Sequence, residues 1–152
     1  MRDRFRFRAK LTPAEAFDPA DTGFVVEFPD WPAGVTQGED EADALDAAAD
    51  ALRVLVACAI KEGSDIPEPA AGLGPGERWV EIEPLLAAKA GLYLAMRDAA
   101  VNRSELARRM GIDVKEVRRL LDPRVGTTRL PRIQQALAAL GKRLTVEVRD
   151  AA

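Results

Sequence analysis

Lys115, Arg118 and Arg119 stand on one side of a short run whose other side is Val114, Val117, Leu120 and Leu121, at spacings of three and four. Cations on one face of a helix can donate hydrogen bonds to base edges or phosphate oxygens, while the apolar face holds the helix on a core. Other chemistry is excluded by composition. The chain has no histidine, which removes Ser-His-Asp and Cys-His nucleophilic sites, His-ligated metals and His acid–base work. Its single cysteine, Cys58, rules out an intramolecular disulfide or a Cys-based zinc site; within an Ala-rich stretch it reads as a small buried residue. Carboxylates are plentiful, and a two-metal nuclease built on Asp30, Glu39, Asp40 and Asp50 stays open as one alternative. Those residues fall on a helix start and an exposed helix face, where solvation explains them. No catalytic residue, metal or cofactor is expected.

The elements that must position the cations surround them. Asn102 can cap a helix, with Glu105 three residues later in capping-box spacing. Leu106, Ala107 and Met110 give that helix an apolar face, Gly111 lets it stop, Ile112 can turn back to the core, and Asp113 caps the next helix. Two short helices with a small residue at their approach and a tight turn form a helix-turn-helix pattern, whose second helix enters the major groove. An ordinary helical hairpin with a solvated basic face is the plainer alternative. The stretch resembles the Cro and phage-repressor type of DNA-binding domain. That resemblance implies base reading by Val114, Lys115 and Arg119, the cations donating to guanine O6 and N7 and Val114 meeting a thymine methyl. Asn102, Arg103, Arg118, Arg124, Thr127 and Arg129 are then placed for phosphates, although Arg118 reads equally well as a solvated residue. Glu116 either excludes some bases or is simply solvated. A dimer on a palindrome is the natural geometry.

At 152 residues the chain can hold one ordinary domain or two small ones, and 31% charged with 47% hydrophobic residues suits a soluble globular protein. No apolar run is long enough to span a bilayer or to form a signal-peptide core, and the lone thiol fits a reducing cytoplasm. The net charge of −3 is uneven: residues 1–78 hold 8 basic against 16 acidic residues, and residues 79–152 hold 14 against 9. An acidic half and a basic half suggest two modules with different partners, the basic one suited to phosphate.

In chain order, Phe5, Phe7 and Ala9 alternate with Arg4, Arg6, Arg8 and Lys10, the pattern of a half-buried strand. Thr12–Gly23 reads as a loop, Phe24–Phe28 as a second strand and Val35–Thr36 as a brief third. A long helix from about Glu39 to Lys61 carries a stripe of Ala42, Leu45, Ala49, Leu52, Val56 and Ile60, and Gly63 ends it. Ser64–Glu77, rich in Pro and Gly, reads as a linker with little order of its own. Arg78–Glu83 alternates as a last strand. Beyond Pro84 the period is helical to about Ala100. After the two short helices Thr128 can cap a further helix from Arg129 to Leu140, and Leu144, Val146 and Val148 alternate as a terminal strand over Arg143–Arg149 that needs a partner, either the same strand of a second copy or an edge of the first module.

Four stretches stand out in this order: Gly23–Gly38 (GFVVEFPDWPAGVTQG), Glu41-Ala42 and Ala44-Leu45 at the helix opening, Ile66-Pro67-Glu68-Pro69, and Leu140–Leu144. Together they resemble the HicB family of bacterial antitoxins. Trp31 and Ala33-Gly34 depart from the usual pattern. The resemblance implies an α+β chain. Its module 1–83 would be a partial ribonuclease-H-like, toxin-binding fold of antiparallel sheet plus one long helix, without catalysis. Module 84–152 would be an all-α helix-turn-helix domain with a terminal strand, for DNA binding and oligomerisation. The implied partners are a HicA-like ribonuclease toxin, operator DNA and further copies of the chain as homodimer or homotetramer, with no membrane. Asp30, Trp31, Pro32 and Thr36 are the candidate toxin contacts, unless Pro29, Pro32 and Gly38 only shape a corner and Trp31 is core. A stand-alone repressor with a ligand-sensing N-terminal module is the remaining alternative.

Overall fold

A computed structural model describes residues 4–151, in two compact units, Met1–Glu83 and Pro84–Ala152. The first is an antiparallel sheet with one long helix. Its strands are β1 (Arg6–Pro13), β2 (Phe24–Glu27), β3 (Val35–Gly38) and β4 (Glu77–Glu81), in the order β3-β2-β1-β4. Phe7 pairs with Val80, Leu11 with Val26 and Val26 with Thr36. The alternation in β1 is that of a strand with one covered face: Phe7 and Ala9 are fully buried, while Arg8 and Lys10 point away. β1 runs further than its cations, through Pro13, and a single 3-10 turn over Ala14–Ala16 follows. In β4 Val80 is likewise buried, as is Ile82 just beyond the strand's end.

Helix α1 (Glu41–Glu62) packs on all four strands. Asp40 caps it by accepting from the Asp43 amide at 2.8 Å, and Gly63 ends it at φ 73°. Its C-terminal half buries Leu52, Val56 and Ile60 as the period requires. Its N-terminal half differs: Ala44 and Ala48 are buried, whereas Ala42 is exposed and Leu45 and Ala49 are half-covered. The reason is a close approach. A Cβ on Gly38 would run into the backbone of Ala44, so the strand end and the helix touch where both side chains are minimal. Cys58, expected to be buried, is exposed on α1, one residue off the stripe.

The Pro- and Gly-rich segment 64–76 has no helix or strand, but it is tied down. Arg4 donates to the carbonyls of Ile66 and Pro67 at 2.6 and 2.5 Å, Leu11 N donates to Gly76 O at 3.0 Å, and Ile66 is buried. Long-range donors, invisible in the local composition, supply the order.

The second unit is helical: α2 (Pro84–Asp98), α3 (Arg103–Met110), α4 (Val114–Leu121) and α5 (Leu130–Ala138). Leu86, Leu92, Met96, Leu106, Val117, Leu121, Ile133 and Leu137 form its core. Two expectations are corrected here. Thr128 does not cap α5: the helix starts one residue later, with Arg129 at the cap and no side-chain bond, and the Thr128 hydroxyl accepts from Lys89. The terminal segment Arg143–Arg149 forms no strand: alternation alone cannot make one, since a strand exists only where another supplies its hydrogen bonds. No helix among the described residues is long and apolar enough to cross a membrane.

Candidate functional site

The α3–α4 pair is built from local signals. The Asn102 side chain accepts from the Glu105 amide at 2.8 Å and so closes the first turn of α3. Gly111 ends α3 in the left-handed region, at φ 66°. Ile112 follows, half-buried, and the Asp113 side chain accepts from the Lys115 amide at 2.7 Å to start α4. Leu106 and Ala107 of α3 and Val117, Leu120 and Leu121 of α4 are buried. The face of α4 that remains outside carries Lys115, Glu116, Arg118 and Arg119, all exposed, with Val114 half-covered at its start. Lys115 and Arg119 are one turn apart and share a face.

The far end of α4 is held by a residue of α2. Lys89 is 1% exposed, and its Nζ donates to Arg119 O at 3.2 Å, Asp122 O at 2.7 Å and Thr128 Oγ1 at 2.9 Å. A cation at the C-terminal end of a helix meets both the unpaired carbonyls and the negative end of the dipole. Burial pushes the Lys89 pKa down, and the nearby Asp122 charge opposes that shift. The signal in the sequence was a lysine within the apolar run of α2, three residues before Leu92.

The other cations proposed for phosphate divide by surroundings. Arg103 and Arg118 are exposed. Arg124 folds back on Asp122, with both nitrogen–oxygen distances at 3.1 Å, and this pairing lowers the Asp122 pKa. Asn102 is exposed but spends its oxygen on the cap. Thr127 and Arg129 line an open cleft of ≈ 300 Å³ with Arg119, Thr128 and Arg132. Sequence reasoning passed over Arg132, which reaches Glu116 at 2.6 Å and Gln135 at 2.8 Å. Glu116 is therefore paired rather than merely solvated. On α3, Glu105 accepts from Arg108 at 2.8 and 2.7 Å and from Arg109 at 2.9 Å, which pulls its pKa down to about 2.

In the first unit the four candidate contacts separate. Asp30 is drawn inward: Arg8 donates to it twice, at 3.0 and 2.7 Å, and the Ala70 amide adds a third bond at 3.3 Å. Arg8 holds the Asp30 carboxyl below its ordinary range. Trp31 is half-buried with its ring 5.7 Å from Phe7. Pro32 is exposed, and Thr36 lies half-covered on edge strand β3 beside the exposed Val35 and Val54. The carboxylates weighed for a metal site are not gathered. Asp40 caps α1, Asp50 lies 3.8 Å from Arg53, and among the described residues no group of three or more candidate ligands could hold an ion.

Residues 11–91 match the family model described as the HicB_like antitoxin of a bacterial toxin-antitoxin system. The chain is 32% identical over 144 residues to Antitoxin HicB 1 of Photorhabdus laumondii, covering 94% of this chain and 86% of that protein. It is 33% identical over 141 residues to Antitoxin HicB of Escherichia coli K12, covering 93% and 97%. Antitoxin HicB of Pseudomonas fluorescens is 31% identical over 114 residues, 75% of this chain and 77% of that one.

Proposed function

The chain belongs to the HicB-like antitoxin family, and from that premise we propose that it neutralises a HicA-like ribonuclease toxin and represses its own operon by binding operator DNA. Residues 1–83 are the toxin-binding module, a partial ribonuclease-H-like fold that does no chemistry. Residues 84–152 are the DNA-binding and oligomerisation domain, with α3 and α4 as its helix-turn-helix. The observation that carries the DNA half is the outer face of α4, where Lys115, Arg118 and Arg119 are exposed on a helix fixed by Asp113 at one end and Lys89 at the other. Val114, Lys115 and Arg119 read bases; Arg103, Arg118, Arg124, Thr127 and Arg129 meet phosphates, with Asn102 presenting the start of α3. Two or four copies act together, because a helix of this length reads a short half-site.

For the toxin half, relatives named as antitoxins align across nearly the whole chain. The acidic balance of the first module complements a basic ribonuclease. Within the candidate contact set Pro32 is exposed and Thr36 lies half-covered on edge strand β3. The test is co-expression with the short open reading frame beside this gene, followed by size exclusion with light scattering. A stoichiometric complex is expected, with toxicity relieved only when this chain is present. If the two proteins elute apart and the neighbour stays toxic, the antitoxin reading fails.

A further inference from the structure

One flank of α4 carries the wrong sign for a nucleic acid. At about 100° per residue, Lys115 and Arg119 stand opposite the buried Val117, Leu120 and Leu121, with Arg118 on one flank and Glu116 on the other. A helix lying in the major groove has phosphate backbone on both sides, so each flank meets anions. Arg118 suits that setting, whereas a bare carboxylate at 116 would be repelled. Glu116 is not bare. Arg132, in the first turn of α5, donates from Nη2 to Glu116 Oε2 at 2.6 Å and from Nη1 to Gln135 Oε1 at 2.8 Å. The pair lies in the cleft that also holds Arg119, Thr127 and Arg129, three arginines against one carboxylate. With the two side chains 40% and 52% exposed, water reaches both partners and the pair is weak.

We propose that Arg132 is a further phosphate-binding residue and that Glu116 occupies it in the free protein, so that binding exchanges a carboxylate for a DNA phosphate. The inference rests on the reading of α4 as the helix that enters the groove, and adds two residues and a source of specificity. Gln135 keeps the guanidinium in the cleft when the carboxylate leaves, and a planar guanidinium suits a phosphate in the same geometry as a carboxylate. The net charge of the cleft does not change: one ion pair replaces another, and Glu116 is set free beside the DNA backbone. On DNA at large that is a loss, because phosphates repel the freed carboxylate. It is made good only where a base within reach presents an amino group, cytosine N4 or adenine N6, for which a carboxylate is the matching acceptor. Glu116 therefore lowers affinity for every sequence, and lowers it least for the right one.

The experiment uses the full chain, with the DNA immediately upstream of its own operon as operator and a scrambled duplex of equal length and composition, across a salt series. Glu116→Gln keeps the size and removes the charge. It is expected to bind the scrambled duplex about ten-fold tighter than the parent, with a salt slope steeper by about one, and to gain less on the operator. Arg132→Ala strands the carboxylate and is expected to weaken binding to both duplexes. The double variant E116Q/R132A has the parent's net charge and hence its salt slope. It is expected to bind the operator about ten-fold more weakly than the parent, because the phosphate contact is gone. A double variant equal to the parent on the operator would reduce Arg132 to a screen for Glu116 and overturn the contact. Equal losses on the operator by all three variants, with scrambled DNA bound as before, would make the pair a brace between α4 and α5 and overturn the exchange. If the parent binds the upstream DNA and E116Q gains nothing on the scrambled duplex, this inference alone fails. If the parent binds neither duplex, the DNA-binding reading falls and takes the inference with it.

Discussion

Asp30 was read as a surface contact, and its place in the fold turns it into a structural residue with a measurable signature. Its side chain is 7% exposed and holds both Arg8 and the Ala70 amide. Asp30→Asn leaves Arg8 with Glu77, 3.4 Å away, as its one anionic partner among the described contacts, and should lower the stability of the first unit by about 2–3 kcal/mol in denaturant titrations, somewhat less than for a wholly buried pair. The pH dependence has a definite sign. A carboxylate whose pKa is lower folded than unfolded stabilises above its unfolded value and loses that contribution as pH falls through the folded one. For Asp30 the loss begins near the ordinary 3.8 and continues below it. For Glu105 it spans the window from 4.5 down to about 2. Glu105 is exposed, so its contribution is small and screened by salt. Its carboxyl carbon should nevertheless titrate near 2 by NMR at low ionic strength, and a midpoint close to 4.5 would show that Arg108 and Arg109 do not hold it. Lys89→Met keeps the bulk but strands two carbonyls and a hydroxyl. A loss of about 2–4 kcal/mol is expected for the second unit, and an unchanged unfolding midpoint would mean that those acceptors find water.

Helices α3 and α4 were legible because everything that makes them lies within a few residues. Asn102, Gly111 and Asp113 each act on backbone no more than four residues away. The strands were legible by period, and their pairing follows once hydrophobic faces are matched. What was hidden depends on distance along the chain. Arg8 finds Asp30 across 22 positions and Lys89 finds Asp122 across 33, and neither partner can be chosen from a local pattern. The Ala44–Ala48 contact was hidden for a different reason, since alanine is buried or exposed with little bias and only the approach of Gly38 decides it. Gly38→Ala forces the β3 end away from α1 and should destabilise the first unit by about 1–3 kcal/mol in the same titrations. The terminal strand misled because alternation alone supplies none of the hydrogen bonds that a strand needs. On α4, the alternatives for Arg118 divide by experiment. As a phosphate contact, Arg118→Ala weakens binding to all sequences alike and reduces the salt slope by about one. As a solvated residue it changes neither.

At the scale of the whole chain, charge separates the two proposed tasks more cleanly than any single residue does. Residues 1–78 hold twice as many acids as bases, and residues 79–152 reverse the balance. An acidic module repels phosphate and attracts a basic toxin, and the basic module does the opposite. Because DNA binding by cations releases counterions, operator affinity should fall steeply with salt. The tasks should also separate genetically. Lys115 and Arg119 are exposed and lie outside the core of their unit, so K115A/R119A leaves the fold intact. In the full chain this double variant is expected to lose about a hundred-fold or more in operator affinity, at about 1–3 kcal/mol for each base contact, while rescuing cells from the toxin as well as the parent does. Retained operator binding would remove α4 as the reading helix. Loss of rescue at normal expression levels would mean that toxin recognition extends onto the second unit, and the division of labour between the two halves would have to be redrawn.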